Sequence, residues 1–194
     1  MSRSVAVLVF DGFADWEPAF ALTGLRRWGG KTVTTVGYDR QAVTSMGGLR
    51  VVPEQALADL TPSGTELLIL PGGDAWATGY PATALDPVLA RLHAAGVPIA
   101  AICGATIAAA RAGLFRGRRH TSNGRSFLQQ HAPASDDTAV YVDALAVTDD
   151  GVISASGLGA VEFAREIFAV LGVFGAEDLR RYVEMYREGR SPTA

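Results

Sequence analysis

Val97-Pro98-Ile99-Ala100-Ala101-Ile102-Cys103-Gly104-Ala105-Thr106, followed by Ile107-Ala108-Ala109-Ala110-Arg111-Ala112-Gly113, is the stretch whose reading decides the fold. The apolar run bounded by Gly96-Val97-Pro98 has the pattern of a buried strand, and the alanine-rich run after Gly104 that of a helix ending at Gly113. The only cysteine of the chain stands at the junction. A sharp strand-to-helix turn holds a side chain clear of the sheet, small neighbours such as Gly104 and Ala105 admit a substrate, and a helix N-terminus favours an anion. A thiolate is stabilised by such surroundings. Taken alone, the stretch fits equally well a buried, inert cysteine that packs as a small hydrophobe.

Upstream of this elbow, Asp86 to Ala95 has an amphipathic helical pattern, and Glu66 to Leu70 (ELLIL) is a buried strand stopped by Pro71-Gly72-Gly73-Asp74. Nearer the N-terminus, Ser4 to Phe10 (SVAVLVF) is a continuous apolar strand, and the loop Asp11 to Trp16 follows it. Glu17-Pro18 then opens a helix through Trp28, closed by Gly29-Gly30. Lys31 to Gly37 is a β-branched strand. Gln41 to Glu54 predicts a short hairpin with Gly47-Gly48 in its turn and Leu49 to Val52 as its return strand. Downstream, His120-Thr121-Ser122, Val140-Tyr141-Val142, Leu145-Ala146-Val147 and Val152 to Ala155 are strand candidates. Gly124 to His131, Ala160 to Leu171 and Glu177 to Arg187 are helix candidates.

Strands that are apolar throughout, alternating with helices, predict a mostly parallel sheet covered by helices on both faces. Ligands of such sheets bind outside the carboxyl ends of the strands. Three of those ends carry chemistry: Asp11 to Glu17, Pro71 to Asp74, and Cys103-Gly104.

The ordered set Phe13-x-Asp15-x-Glu17, Leu70-Pro71-Gly72-Gly73, Ala101-Ile102-Cys103-Gly104-Ala105 and Gly157-Leu158-Gly159, the last ahead of Glu162-Phe163-Ala164, resembles the ThiJ/PfpI superfamily. That group includes Parkinsonism-associated deglycase-like proteins, bacterial intracellular proteases and isonitrile hydratases. The resemblance runs from Val5 to about Leu171. It implies a flavodoxin-like three-layer sandwich related to class I glutamine amidotransferases, one domain over residues 1–194, and a homodimer. It implies no single reaction, because one fold hosts many.

Position by position, Cys103 resembles the reactive elbow cysteine, Glu17 the acid hydrogen-bonded to its sulfur, and the Gly73 N–H one donor of an oxyanion site that the Gly104 N–H completes. A carboxyl beside a thiolate is disfavoured as a second anion, so the pKa of Glu17 is expected to rise, while the helix N-terminus and small N–H donors are expected to lower that of Cys103. The alternative for Glu17 is an ordinary solvated helix-start glutamate. For Gly72-Gly73 it is a plain turn.

The departures from the resemblance bear on function. Gly104 stands where the protease-like branch has a His and where isonitrile hydratases have a hydroxyl residue. No His-x-Glu pair follows Cys103, which argues against a glutaminase. The position of the deglycase-like His falls on Asn123, which hydrogen-bonds but is no general base, and His120 stands three residues earlier. His120 serves either the site, from a shifted strand, or packing beside Arg118 and Arg119. Trp16 and Trp76 are candidate pocket walls or packing residues, and Asp15 is a lesser site candidate.

Composition narrows the classes further. A chain of 194 residues, 48% hydrophobic and 19% charged, is long enough for one sizeable core. Its net charge of -3 gives no pull towards nucleic acid, and the cluster Arg111, Arg116, Arg118, Arg119 and Arg125 lacks aromatic interleaving. Histidines and cysteine are not at metal-ligand spacing, so neither metal nor cofactor is expected. No signal-peptide pattern opens the chain, a single cysteine fits a reducing compartment, and the uncharged run Leu92 to Ala110 is broken by Gly96, Pro98 and Gly104. A cytoplasmic protein with no membrane association is expected. Two functions stay open. One is an enzyme using Cys103 on a small carbonyl, amide or similar electrophile, and the other a non-catalytic, oxidative-stress-responsive protein in which Cys103 is oxidised.

Overall fold

A computed structural model describes residues 3–79, 81–135 and 140–190 of the chain; Met1 and Ser2, which precede the first expected strand, lie outside them. The strands are β1 (Ser4–Leu8), β2 (Val33–Gly37), β3 (Val43–Thr44), β4 (Arg50–Val51), β5 (Gln55–Ala56), β6 (Thr65–Leu70), β7 (Ile99–Ile102), β8 (Ala146–Asp149) and β9 (Val152–Ala155). The helices are α1 (Trp16–Arg27), α2 (Ala75–Thr78), α3 (Ala82–Ala94), α4 (Thr106–Arg111), α5 (Arg125–His131), α6 (Ala160–Val170) and α7 (Ala176–Glu188).

Seven strands form one sheet in the order β5-β2-β1-β6-β7-β9-β8, parallel except for β8, which runs antiparallel to β9. The remaining pair, β3 and β4, is an antiparallel hairpin outside the sheet, joined through Met46, Gly47 and Gly48 as the glycine pair predicts. The strand order reverses between β1 and β6: from β1 the chain moves outward to β2, then returns to the other side. Such a switch point opens a crevice at the carboxyl ends of its strands. The ends of β1, β6 and β7 lie side by side there.

The expected burial on both faces is met. Every residue of β7 is buried, as are all but Glu66 of β6. On one face Ala21 and Leu25 of α1 pack with Phe163, Ile167 and Phe168 of α6 and Tyr182 of α7. On the other, Leu85, Leu89 and Leu92 of α3, Ile107 of α4 and Leu128 of α5 cover the sheet. Burying side chains of this size is worth about 1.5–3 kcal/mol each. Glycine sets the spacing of α1 and α6: a Cβ on Gly24 would lie 2.2 Å from the Phe168 ring.

Several local expectations are corrected. His120-Thr121-Ser122 and Val140-Tyr141-Val142 are not strands; they meet in a single parallel bridge between His120 and Tyr141. Helix α3 starts at Ala82 rather than Asp86 and holds Pro87 within it. Pro87 is the sixth residue of the helix, beyond the first turn, so its missing N–H forgoes one helical hydrogen bond, the one that would reach Thr83. The edge strand β5 and the short helix α2 were not anticipated.

Candidate functional site

The elbow is strained where the sequence places it. Cys103 follows β7 with φ 59°, a left-handed conformation that non-glycine residues seldom adopt, at a cost of about 1–3 kcal/mol. A 3-10 turn over Cys103–Ala105 leads into α4. Thr106 fixes this turn by donating its hydroxyl to the Cys103 carbonyl at 2.6 Å. A hydroxyl carries one proton, so the Ser122 hydroxyl, also 2.6 Å away, donates to Thr106.

Glu17 reaches the sulfur from the second position of α1. The loop before it is held on both sides: Ala14 N–H donates to the Gly72 carbonyl at 2.9 Å and Met46 N–H to the Phe13 carbonyl at 2.9 Å. Asp15, the residue before α1, makes no side-chain cap; its carboxylate accepts the Ser45 hydroxyl at 2.6 Å and so ties the helix start to the hairpin. Glu17 is 1% exposed, shares a hydrogen bond with Cys103, and accepts the Gly72 N–H at 2.6 Å. The solvated-glutamate alternative is excluded by that burial. Gly72 has no room for more: a Cβ there would lie 2.5 Å from Glu17 Oε2 and 2.8 Å from Cys103 Cβ.

Asn123 completes the surroundings of the sulfur. Its amide nitrogen donates to Cys103 Sγ at 3.3 Å, and its oxygen accepts the Gly157 N–H at 2.9 Å. Gly157 itself lies close, for a Cβ on it would sit 2.9 Å from Sγ. The Gly157-Leu158-Gly159 turn thus orients the amide, a role that no local pattern signals.

Electrostatics follow from burial. Burial pushes the Glu17 carboxyl above its ordinary value of 4.5, against the hydrogen bonds from Cys103 and Gly72 that lower it. For Cys103 burial again dominates; the Asn123 and Gly104 N–H donors pull downward, the charge on Glu17 pushes upward, and the thiol rises to about 11. This corrects the expectation of a simply lowered thiol. Helix α4 has six residues, so little helix field opposes desolvation, and only single N–H groups support the anion. Two groups this close titrate as a pair: the first proton leaves either one, and the second leaves against an existing charge. A charge on Glu17 therefore holds the thiol up further, and a proton on Glu17 relieves it.

A pocket of about 410 Å³ opens on this pair, lined among others by Trp16, Glu17, Gly73, Cys103, Gly104 and Asn123. Trp16 is 52% exposed. Asp74, from the expected Pro71 to Asp74 strand end, also lines it, as do Met46, Ile107 and Phe127, which were not anticipated. The hairpin and α5 that carry two of them offer no motif.

Two other candidates stand elsewhere. Trp76 is buried beneath the glycine turn, donates Nε1–H to the Pro71 carbonyl at 2.8 Å and packs on Phe10. His120 is 3% exposed, stacked 4.4 Å from Phe115 and set edge-on to Tyr141, with Nδ1 2.8 Å from the Arg118 carbonyl. Neither lines the pocket. Among the described residues no group of three His, Cys, Asp or Glu is placed to hold a metal ion, and no helix is long and apolar enough to cross a membrane.

Comparison with known proteins agrees with this fold. The DJ-1/PfpI family model matches residues 3–170. A Bacillus subtilis protein named as the uncharacterized protease YoaZ is 32% identical over 194 residues, spanning 95% of this chain and 90% of that one. Among solved structures, the DJ-1 superfamily protein Atu0886 from Agrobacterium tumefaciens has a TM-score of 0.88 at 34% identity, covering 98% of this chain and 100% of that one. A thiJ/pfpI family protein from Bacillus anthracis has a TM-score of 0.89 at 30% identity, covering 98% and 92%.

Proposed function

The chain belongs to the DJ-1/PfpI family, and from that premise we propose that Cys103 is a nucleophile acting on a small carbonyl, amide or similar electrophile in a hydrolase- or lyase-type reaction. One observation carries the reading: Cys103 is held at φ 59° with its sulfur between Glu17 and the Asn123 amide, beside a pocket of about 410 Å³. That size suits a small molecule.

In the reactive form the shared proton sits on Glu17 and the sulfur is a thiolate. It attacks the carbonyl carbon, an S–C bond forms, and the C=O π electrons pass to oxygen. The Gly73 and Gly104 N–H groups steady that oxyanion, and Glu17 delivers the proton. Asn123 orients and supports the anion but moves no proton. Among the described residues Glu17 is then the one proton carrier bonded to the sulfur. The protease name of YoaZ is not carried over, since the residue after Cys103 is Gly104.

Turnover of a panel of α-oxoaldehydes and small amides, followed by NMR in wild type and Cys103→Ala, tests the reading. Activity confined to the wild type is expected; activity that survives Cys103→Ala overturns it.

The same hydrogen bonds favour a second reading, in which two equivalents of peroxide convert the thiolate to a sulfinate with release of two waters. Protonated Glu17 and the Asn123 amide then serve as donors to the sulfinate oxygens.

We also propose a homodimer. The apolar residues of α1 are partly spent within the chain: Leu25 is buried, while Phe20 packs on Tyr186 and Trp28 on Phe174 and Tyr182. Light scattering that returned the 20.3 kDa monomer at micromolar concentration would contradict it.

A further inference from the structure

The pocket over Cys103 is asymmetric in charge. Its walls are apolar or aromatic at Trp16, Met46, Ile107 and Phe127, and its ionisable residues besides Cys103 are two carboxylates, Glu17 and Asp74. None of its described lining residues is Lys, Arg or His. The donors on the sulfur, the Asn123 amide and the Gly104 N–H, are uncharged. Arg125, two residues beyond Asn123, is turned to another partner, its guanidinium carbon 5.3 Å from the centre of the Tyr141 ring.

We infer that the site selects by charge: it takes neutral or cationic electrophiles with an aliphatic or aromatic body and rejects anionic ones such as oxo acids. The inference rests on Cys103 being the nucleophile and adds the substrate class. The Cys103–Glu17 pair holds one negative charge once its first proton has left, and Asp74 brings a second carboxylate to the pocket. A carboxylate entering there sheds water against apolar walls and meets like charge with no counter-ion. Recognition of a carboxylate or phosphate needs the forked donors of an Arg or an equivalent cation, which these walls do not supply. An ammonium group finds the reverse: the half-exposed Trp16 indole and the Asp74 carboxylate, both lining the pocket, attract it.

Cys103 is the only cysteine, so thiol labelling reports on this pocket alone. The probes are iodoacetamide, N-benzyl iodoacetamide, a quaternary-ammonium iodoacetamide and iodoacetate. Each forms an S–C bond at the thiolate and releases iodide. Each rate is divided by that of 2-mercaptoethanol at the same pH and low salt, which removes intrinsic reactivity. The neutral and cationic probes should exceed iodoacetate at least fivefold, and the ratio should narrow at high salt. Asp74→Lys should shrink it by bringing a cation to the pocket. A wild-type ratio below fivefold, or one that Asp74→Lys leaves unchanged, overturns the inference. If all four probes react no faster than with 2-mercaptoethanol, the nucleophile reading itself fails, a result distinct from labelling that ignores charge.

Discussion

The Asn123 side-chain amide is locked between Cys103 and Gly157: nitrogen 3.3 Å from the sulfur, oxygen 2.9 Å from the Gly157 N–H. The backbone donor can meet only the oxygen, so the amide cannot flip, and its N–H must face the sulfur. The chain therefore keeps a donor, not a base, at this position.

Removing that donor should raise the apparent pKa of the thiol. A hydrogen bond to a charged group is worth about 1.5–3 kcal/mol, so Asn123→Ala should shift thiolate formation upward by about one to two units. Asn123→Asp should shift it further, because a carboxylate adds like charge. Thiolate absorbance near 240 nm against pH gives the measurement; an Asn123→Ala midpoint equal to wild type would show that the amide only fills space.

His120 should matter for stability and not for chemistry. Its ring is packed between Phe115 and Tyr141 with Nδ1 on the Arg118 carbonyl. His120→Ala should lower unfolding stability by about 1–3 kcal/mol in urea titrations while changing the Cys103 alkylation rate less than threefold. A hundredfold loss of reactivity with unchanged stability would put the imidazole in the mechanism.

Which parts of this arrangement the sequence reveals depends on how local their causes are. Runs such as ELLIL and IAAI reveal central strands, because burial on both faces demands unbroken apolar residues. Glycine pairs and Gly113 mark turns, because backbone conformation there is a local property. The element order, the parallel sheet and the elbow are legible on those grounds. His120-Thr121-Ser122 misleads because it makes one bridge, to Tyr141, while its Thr121 N–H is taken by the Ser154 hydroxyl rather than by a strand backbone. Trp76 misleads because an aromatic beside a glycine turn can point inward as readily as out. Met46 and Phe127 reach the pocket only through tertiary packing of a hairpin and a helix, and the clamp of Asn123 by Gly157 spans 34 residues.

Burial of Glu17 makes stability depend on pH with a definite sign. A carboxyl raised in the folded state binds its proton more tightly there than in the unfolded chain. Its stabilising share is fully present below the ordinary value of 4.5 and declines as pH rises through the folded value. Glu17→Gln, which never ionises, should escape that decline. The difference in Tm, variant minus wild type, should therefore grow from pH 4 to pH 8, by calorimetry at constant ionic strength. A difference that shrinks over this range would mean that Glu17 is stabilised as an anion.

The central claim is that at neutral pH the pair's single charge resides on Cys103 and its proton on Glu17. The pH dependence of Cys103 alkylation, followed by mass spectrometry in wild type and in Glu17→Gln, tests it most directly. The account predicts wild-type alkylation at pH 7 faster than that of a free thiol of pKa about 8.5, and a Glu17→Gln profile moved to higher pH, because the proton acceptor for the thiol is gone. A wild-type midpoint near 11 that moves down in Glu17→Gln would place the charge on Glu17, with the thiol neutral, and would contradict the account.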